Sequence, residues 1–242
     1  MPPFLFVLPV GPNDVIVTVG CMQTSILTDA DLAQLLSNSS LLEGGADAPK
    51  VLLTNDGYIY KLFYRPKRKL SSRALFSPYK LFIKNSQELQ RRNVPSVTVC
   101  KTMVAEDGRF NALRYRAVDG IEFRDHVSDV GNGGISTLVD IMVELHQQGV
   151  FFRAIHLGNI LRQSDGHYAL IDISDCWFSW GALDAFRRAR NLAHLLNYRA
   201  DKPYFLEYGY AKFINEYAVR AKLGKVSTWF ITSYIRYKGV EL

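Results

Sequence analysis

The chain has 242 residues, of which 48% are hydrophobic and 21% charged, and it carries a net charge of +6 at neutral pH. That length can bury a real core in one large domain or two lobes, and the composition is that of a soluble globular protein. No apolar run reaches the ~18 residues that a membrane-spanning helix needs. The three separated cysteines, Cys21, Cys100 and Cys176, point to a reducing cytoplasm rather than to disulfides or a zinc site.

Residues 1–10 are apolar but short, lack a basic start and contain three prolines, which is unlike a signal peptide. A turn at Gly11-Pro12-Asn13-Asp14 precedes a strand-like run at 15–19. Residues 27–36 predict a helix. Thr28 suits the N-cap, Asp29 and Asp31 favour the positive helix end, and Leu32, Leu35 and Leu36 form an apolar stripe. Residues 41–53 read as strand, glycine loop, strand. Gly44 and Gly45 would let backbone amides approach phosphates, and Lys50 adds positive charge; the plainer alternative is a hairpin turn. After the turn Asn55-Asp56-Gly57, residues 58–64 alternate. Lys61 shares a strand face with Ile59 and Phe63, so it must snorkel or meet an anion.

From Lys61 to Arg92 there are ten basic residues and one acid, Glu88. Such a surface suits a polyanion: a phosphorylated glycolipid, membrane headgroups or nucleic acid. Aromatics do not interleave with the basic run, which speaks against nucleic acid. Ser77-Pro78 opens a helix with serine as N-cap and proline in its first turn. Its packed face carries Tyr79, Phe82, Ile83, Ser86 and Leu89; Asn85 borders that face and Glu88 lies opposite. Residues 97–104 and 110–118, joined at Glu106-Asp107-Gly108, form an antiparallel pair that completes a five-stranded sheet. A short helix is expected at 123–130. A strong one follows at 136–148, with Leu138, Ile141, Met142 and Leu145 in helical register and Gly149 at its end. Helices are also expected at 182–197 and, as one or two, at 204–223, with a short aromatic segment at 230–237.

The stretch 150–174 holds the chemistry. Apolar runs at 159–161 and 168–173 flank Ser164-Asp165-Gly166, a hairpin signature. The hairpin brings Asn159 and Asp172 together at its open end, an amide and a carboxylate that suit a hard cation such as Mg²⁺.

The run Phe152-Arg153-Ala154-Ile155-His156-Leu157-Gly158-Asn159-Ile160-Leu161, followed by Leu170-Ile171-Asp172, resembles the catalytic loop and metal segment of protein-kinase-like phosphotransferases. The form it matches best is that of small-molecule and sugar kinases, His-Gly-Asp-Leu-His-Pro-Gly-Asn-Ile-Leu and then Leu-Ile-Asp. The resemblance implies an α+β, two-lobed protein-kinase-like fold, with a small antiparallel sheet lobe and a mainly helical large lobe. The expected division is an N-terminal extension at 1–26, a nucleotide-covering lobe at 27–118 and a large lobe at 119–242. It also implies ATP and Mg²⁺ as cofactors. Lys61 would hold the α and β phosphates, Gly44, Gly45 and Lys50 would cover them, and Asn159 and Asp172 would bind Mg²⁺. Residues 118–122 would be the hinge that meets adenine, and His146 would orient the catalytic loop.

Two positions depart from the family pattern. Its catalytic aspartate falls on Ala154, and no glutamate on the 78–91 helix faces Lys61, although Asn85 is placed to substitute by hydrogen bonding. His156 or Asp175 would then have to accept the proton or orient the acceptor; the alternative for His156 is a loop cap, and for Asp175 a turn cap. Within the superfamily the chain looks most like the bacterial lipopolysaccharide core kinases, the Kdo and heptose group, with its Arg187-to-Leu192 run as one cue. That implies a cytoplasmic kinase acting on a core sugar hydroxyl of a phosphorylated glycolipid, in peripheral contact with the inner membrane. The other reading is a pseudokinase that binds nucleotide or glycolipid as a regulator.

Overall fold

The computed structural model describes residues 24–45, 47–65 and 77–241; the strand expected at 15–19, Cys21 and the basic residues between 66 and 76 lie outside them. Local sequence explains the first elements. Strand β1 (Thr24–Leu27) runs into helix α1 (Asp29–Ser37). The Thr28 hydroxyl accepts from the Asp31 amide while the Asp31 carboxylate accepts from the Thr28 amide, a reciprocal capping box.

Five further strands build the sheet: β2 (Ser39–Gly45), β3 (Ala48–Thr54), β4 (Tyr58–Tyr64), β5 (Val99–Ala105) and β6 (Phe110–Arg116). Their order is β1-β5-β6-β4-β3-β2. The sheet is therefore six-stranded and mixed, not five-stranded and antiparallel, because β1 adds in parallel to the edge of β5, from Thr24 opposite Thr102 to Leu27 opposite Ala105. It also takes in residues 24–26, ahead of the expected boundary at 27. The alternation of β4 divides two cores. Leu62, with Leu52, Met103, Phe110 and Ala112, faces Leu32 and Leu35 of α1. Ile59, with Leu113 and Tyr115, faces Tyr79, Phe82 and Leu89 of helix α2 (Pro78–Arg91) in the larger core. Ser77 sits at the N-cap of α2, yet its hydroxyl makes no capping bond.

The connector enters at Gly120, whose φ of +148° and closeness to the Arg162 carbonyl exclude a side chain. Strand β7 (Ile121–Glu122) is followed in the chain by β8 (Val150–Phe152) and pairs with β9 (Ile160–Arg162), which pairs with β10 (Tyr168–Leu170). The β9–β10 hairpin is stitched to the sheet side as well. The Leu170 amide donates to the Pro95 carbonyl at 2.9 Å, and the Val97 amide donates to the Leu170 carbonyl at 3.3 Å.

Helices α3 (Phe123–Val130), α4 (Asn132–Gln147), α5 (Ala185–Asn197), α6 (Lys202–Tyr208), α7 (Tyr210–Arg220) and α8 (Lys225–Tyr237) form the second lobe. Leu138, Ile141, Met142 and Leu145 are all buried on α4. Helix α5 begins at 185, because Asp184 caps it by accepting from the Arg187 amide. Gly209, at φ +90°, splits the 204–223 segment into two helices, and the aromatic segment at 230–237 belongs to the longer α8. Sheet lobe, connector and helical lobe together make a two-lobed α+β fold.

Candidate functional site

Between the lobes lies a cleft of about 810 Å³, whose lining includes Glu43, Lys50, Lys61, Arg153, Asp172 and Asp175. Strand β4 carries Lys61 into it. The lysine stem packs near the ring of Phe82, 5.3 Å from Nζ to the centroid. Its Nζ meets Asp172 Oδ1 at 2.5 Å, with the two side chains 16% and 51% exposed. Of the two outcomes the strand pattern allowed, snorkelling or an anion, the structure shows the anion, supplied from the far end of the hairpin 111 positions away.

Asp172 sits in the left-handed region, at φ +51° and ψ +46°. An aspartate tolerates that conformation better than most residues, and strain of this kind concentrates at functional sites. The bend at Asp172 follows β10 directly, where the Ile171 amide donates to the Asn159 carbonyl at 3.0 Å. Asn159 is nearly buried, and its Nδ2 donates to the Ala154 carbonyl at 2.8 Å. That bond orients the amide and leaves Oδ1 as a metal-capable donor. Among the described residues no three His, Cys, Asp or Glu side chains gather as a metal cluster. The donors present, one carboxylate and one amide oxygen, fit a hard cation that takes its other ligands from phosphates and water, as Mg²⁺ does.

The glycine segment is a tight hairpin. Gly44 pairs with Pro49 and Gly45 with Ala48, after register shifts around Glu43. Gly44 has φ +103°, and a Cβ there would fall 2.6 Å from the Ala48 carbonyl oxygen, so only glycine fits. Lys50 pairs across this hairpin with Glu43 at 3.1 Å, and both are exposed at the rim of the cleft.

The two expected proton acceptors are both engaged. His156 Nδ1 accepts from the Gly158 amide at 3.1 Å, and its ring stacks on Tyr198 with centroids 4.2 Å apart. Burial pushes the imidazole below its ordinary pKa. With Nδ1 accepting, the neutral ring carries its proton on Nε2 and has no lone pair left to take another. His156 is the loop cap, the alternative weighed from sequence. Asp175 does line the cleft, but Arg153 holds its carboxylate with two bonds, at 3.0 and 3.1 Å.

Helix α2 also differs from expectation. Asn85 does not reach Lys61. Its Nδ2 donates instead toward the carbonyls of Ile173, Ser174 and Cys176, at 2.7, 3.1 and 3.2 Å. The amide clamps the backbone after Asp172 to the sheet lobe. Glu88 pairs with Arg92 at 2.8 Å and with Arg91 at 3.5 Å, as its position opposite the packed face requires.

Sequence reasoning missed two residues, Arg153 and Asp201. Arg153 stands beside Ala154 and places a cation in the cleft; its charge next to the vacant aspartate position was the available signal. Asp201 is fully buried. It accepts from the Leu157 amide at 2.7 Å and from Arg124 Nε at 2.9 Å, fixing the loop that carries His156. Nothing local in the sequence marks it. Behind this loop, His146 bonds Tyr217 at 2.6 Å and the Asn191 side-chain oxygen at 3.2 Å. Asn191 Nδ2 donates to the Phe152 carbonyl at 2.7 Å. Burial and the neighbouring Arg188 push His146 down to about 3, so it is neutral. It therefore orients the strand that leads into the loop.

No protein family and no curated protein matches the chain. Solved structures that resemble it include the bifunctional kinase-methyltransferase WbdD, at TM-score 0.45 and 14% identity over 77% of this chain and 47% of that one. WbdD with the kinase inhibitor LY294002 gives TM-score 0.44 and 14% identity over 76% and 47%. Monomeric WbdD gives 0.45 and 12% over 79% and 44%. The chain thus spans about half the length of those proteins, and at this distance the likeness assigns no residue a role.

Proposed function

We propose that the chain is a Mg²⁺- and ATP-dependent phosphotransferase whose acceptor is a sugar hydroxyl of a phosphorylated glycolipid of the lipopolysaccharide-core type. The observation that carries the reading is the Lys61–Asp172 pair across the cleft, at the end of a hairpin whose first residue, Asn159, accepts from the Ile171 amide and has its own amide turned by a bond to Ala154. Lys61 would move from Asp172 to the α and β phosphates. Asp172 and Asn159 would hold Mg²⁺, which supplies charge neutralisation at the phosphates when bound. Gly44, Gly45 and Lys50 would close over them, with the hinge at 118–122 against the base. The 27–118 part acts as the covering lobe and the 119–242 part as the catalytic lobe of a cytoplasmic protein. The acceptor class rests on the sequence resemblance alone.

Phosphoryl transfer through a loose transition state draws mainly on positioning and charge neutralisation, while a general base contributes roughly 10²–10⁴-fold. Ala154 removes that base, and His156 and Asp175 are occupied. A slow kinase fits this. So does the second reading, a pseudokinase that binds nucleotide or glycolipid as a regulator, which the same three residues favour. A thermal-shift titration with ATP and Mg²⁺ tests the shared step. Stabilisation that needs Mg²⁺ and is lost in Lys61→Ala and Asp172→Ala supports nucleotide binding; no shift in the wild type refutes the kinase and any nucleotide-binding regulator, and leaves only a regulator that binds glycolipid. Phosphate transfer to a core glycolipid then separates them.

A further inference from the structure

A connected band of aromatic residues lies outside the cleft, its rings exposed except for the half-buried Tyr234 that links them. It starts at Trp177, two residues after the cleft residue Asp175, on strand β11 (Cys176–Phe178). The Arg187 guanidinium lies 4.7 Å from the Trp177 ring and Arg190 lies 5.7 Å from Phe186. Phe186 meets Tyr234 at 5.7 Å, which meets Tyr237 at 6.5 Å. Lys238 lies 5.6 and 5.2 Å from those two tyrosine rings. On α8 the buried residues are Ile231 and Ile235. Helical spacing puts Val226, Trp229 and Tyr237 on the opposite side, where they are 80%, 70% and 80% exposed. Lys225 and Arg236 flank them. Neither α5 nor α8 contains an acid, and the nearby Asp184 is paired with Arg187.

We propose that this band docks the protein on the surface of an anionic lipid bilayer. The inference goes beyond phosphotransfer and does not depend on it. Tryptophan and tyrosine settle where one end of the ring is apolar and the other wet, the headgroup boundary of a membrane. A helix with an aromatic, acid-free face and flanking lysine and arginine lies in that boundary and is held by anionic headgroups. Nucleic acid fits less well. A stacking platform needs open ring faces, and here Arg187, Arg190 and Lys238 already lie close to the rings of the band. Val226 and Trp229 project without a cation, as insertion into acyl chains requires. No helix among the described residues is long and apolar enough to cross a membrane, and the band proposed here makes a surface contact. Because the band runs up to Trp177, lipid-held molecules would be delivered beside the cleft mouth.

The three tryptophans, Trp177, Trp180 and Trp229, are all the chain has, and all three are exposed, on or beside the band. Intrinsic fluorescence therefore reports on the contact directly. The full chain is mixed with phosphatidylcholine vesicles, with and without phosphatidylglycerol, and followed by emission and co-sedimentation. The expected result is a blue shift and sedimentation with the anionic vesicles that added salt weakens. Lys225→Glu with Arg236→Glu should reduce binding about tenfold or more. Trp229→Ala with Tyr237→Ala should do the same, while Lys101→Glu on the sheet lobe should not. Unchanged circular dichroism and melting of each variant establishes that it is folded. Three results overturn the proposal: no binding to anionic vesicles, equal binding in all the folded variants, or a band that instead binds single-stranded RNA or DNA, or a second copy of the chain, and leaves the vesicles free.

Discussion

Lys61 Nζ stands 2.5 Å from the Asp172 carboxylate, bridging the sheet lobe and the end of the hairpin. Asp172 is half exposed, so the ion pair itself contributes under about 1 kcal/mol to folding. Lys61→Met should therefore keep the melting temperature within a few degrees of wild type. Mg²⁺-ATP stabilisation should nevertheless disappear, because the charge is needed by the ligand and not by the fold. Asp172→Asn keeps a side chain that tolerates the left-handed backbone and should lose the Mg²⁺ dependence in the same way. Differential scanning fluorimetry with and without Mg²⁺ measures both. Retained Mg²⁺-ATP stabilisation in either variant would refute the assignment.

Asn85 donates to three carbonyls of the segment after Asp172. Asn85→Ala removes those bonds from a buried site and should cost about 1–3 kcal/mol in urea denaturation. Asn85→Asp should cost more, since it sets a carboxylate against carbonyl oxygens. An aspartate variant as stable as wild type would show that the clamp is not made.

These residues mark what could be read from sequence. The capping box at Thr28 was legible because its partners are three positions apart. The hairpin that links Asn159 to Asp172 was legible because its turn signature is local, and its backbone closes with the Ile171 amide on the Asn159 carbonyl. That Lys61 must either snorkel or meet an anion followed from strand alternation, but the anion it meets lies 111 positions away, beyond any local pattern. Asn85 was misread for a related reason: its targets are backbone carbonyls, which every residue has. The parallel strand β1 escaped because a four-residue segment has no periodicity to detect. The loop cap at His156 was one of two readings from sequence, and the sequence alone does not choose between them because both require the same residue.

Asp201 has no exposure and serves two donors, Arg124 and the Leu157 amide. Asp201→Ala leaves a buried amide and a partly buried guanidinium without partners. It should lower stability by about 2–4 kcal/mol. Asp201→Asn keeps an acceptor for Leu157 and should lose less. Chemical denaturation ranks the three proteins, and equal losses for the two variants would show that the loop amide contributes nothing.

His146 titrates near 3 in the folded chain, against an ordinary 6.5. A base whose folded pKa is depressed leaves stability intact above the unfolded value. As the pH falls from about 6.5 toward 3, the unfolded chain takes up a proton that the folded chain refuses, and stability falls by up to about 1.4 kcal/mol per pH unit. His126, His156 and His194 are also lowered and act in the same direction. His146→Gln should flatten the decline between pH 6.5 and 4 without abolishing it. Urea midpoints across that range test this, and an unchanged slope would mean that His146 is already protonated when folded.

Ala154 occupies the position where the resembled family carries its catalytic aspartate, and its carbonyl already holds Asn159. A carboxylate placed there would act through the side chain and leave that backbone contact in place. Ala154→Asp should thus keep Mg²⁺-ATP stabilisation. If the chain is a slow kinase limited by the missing base, turnover with a glycolipid acceptor should rise by up to about 10²-fold. Arg153, on the adjacent residue and paired with Asp175, sets a limit to that gain, since it can pair with the new aspartate and compete with the acceptor hydroxyl. Ala154→Asp combined with Arg153→Ala should therefore exceed the single variant. Radiolabelled phosphate transfer at saturating ATP measures both. A double variant that binds Mg²⁺-ATP yet shows no transfer would favour the regulatory reading over the catalytic one.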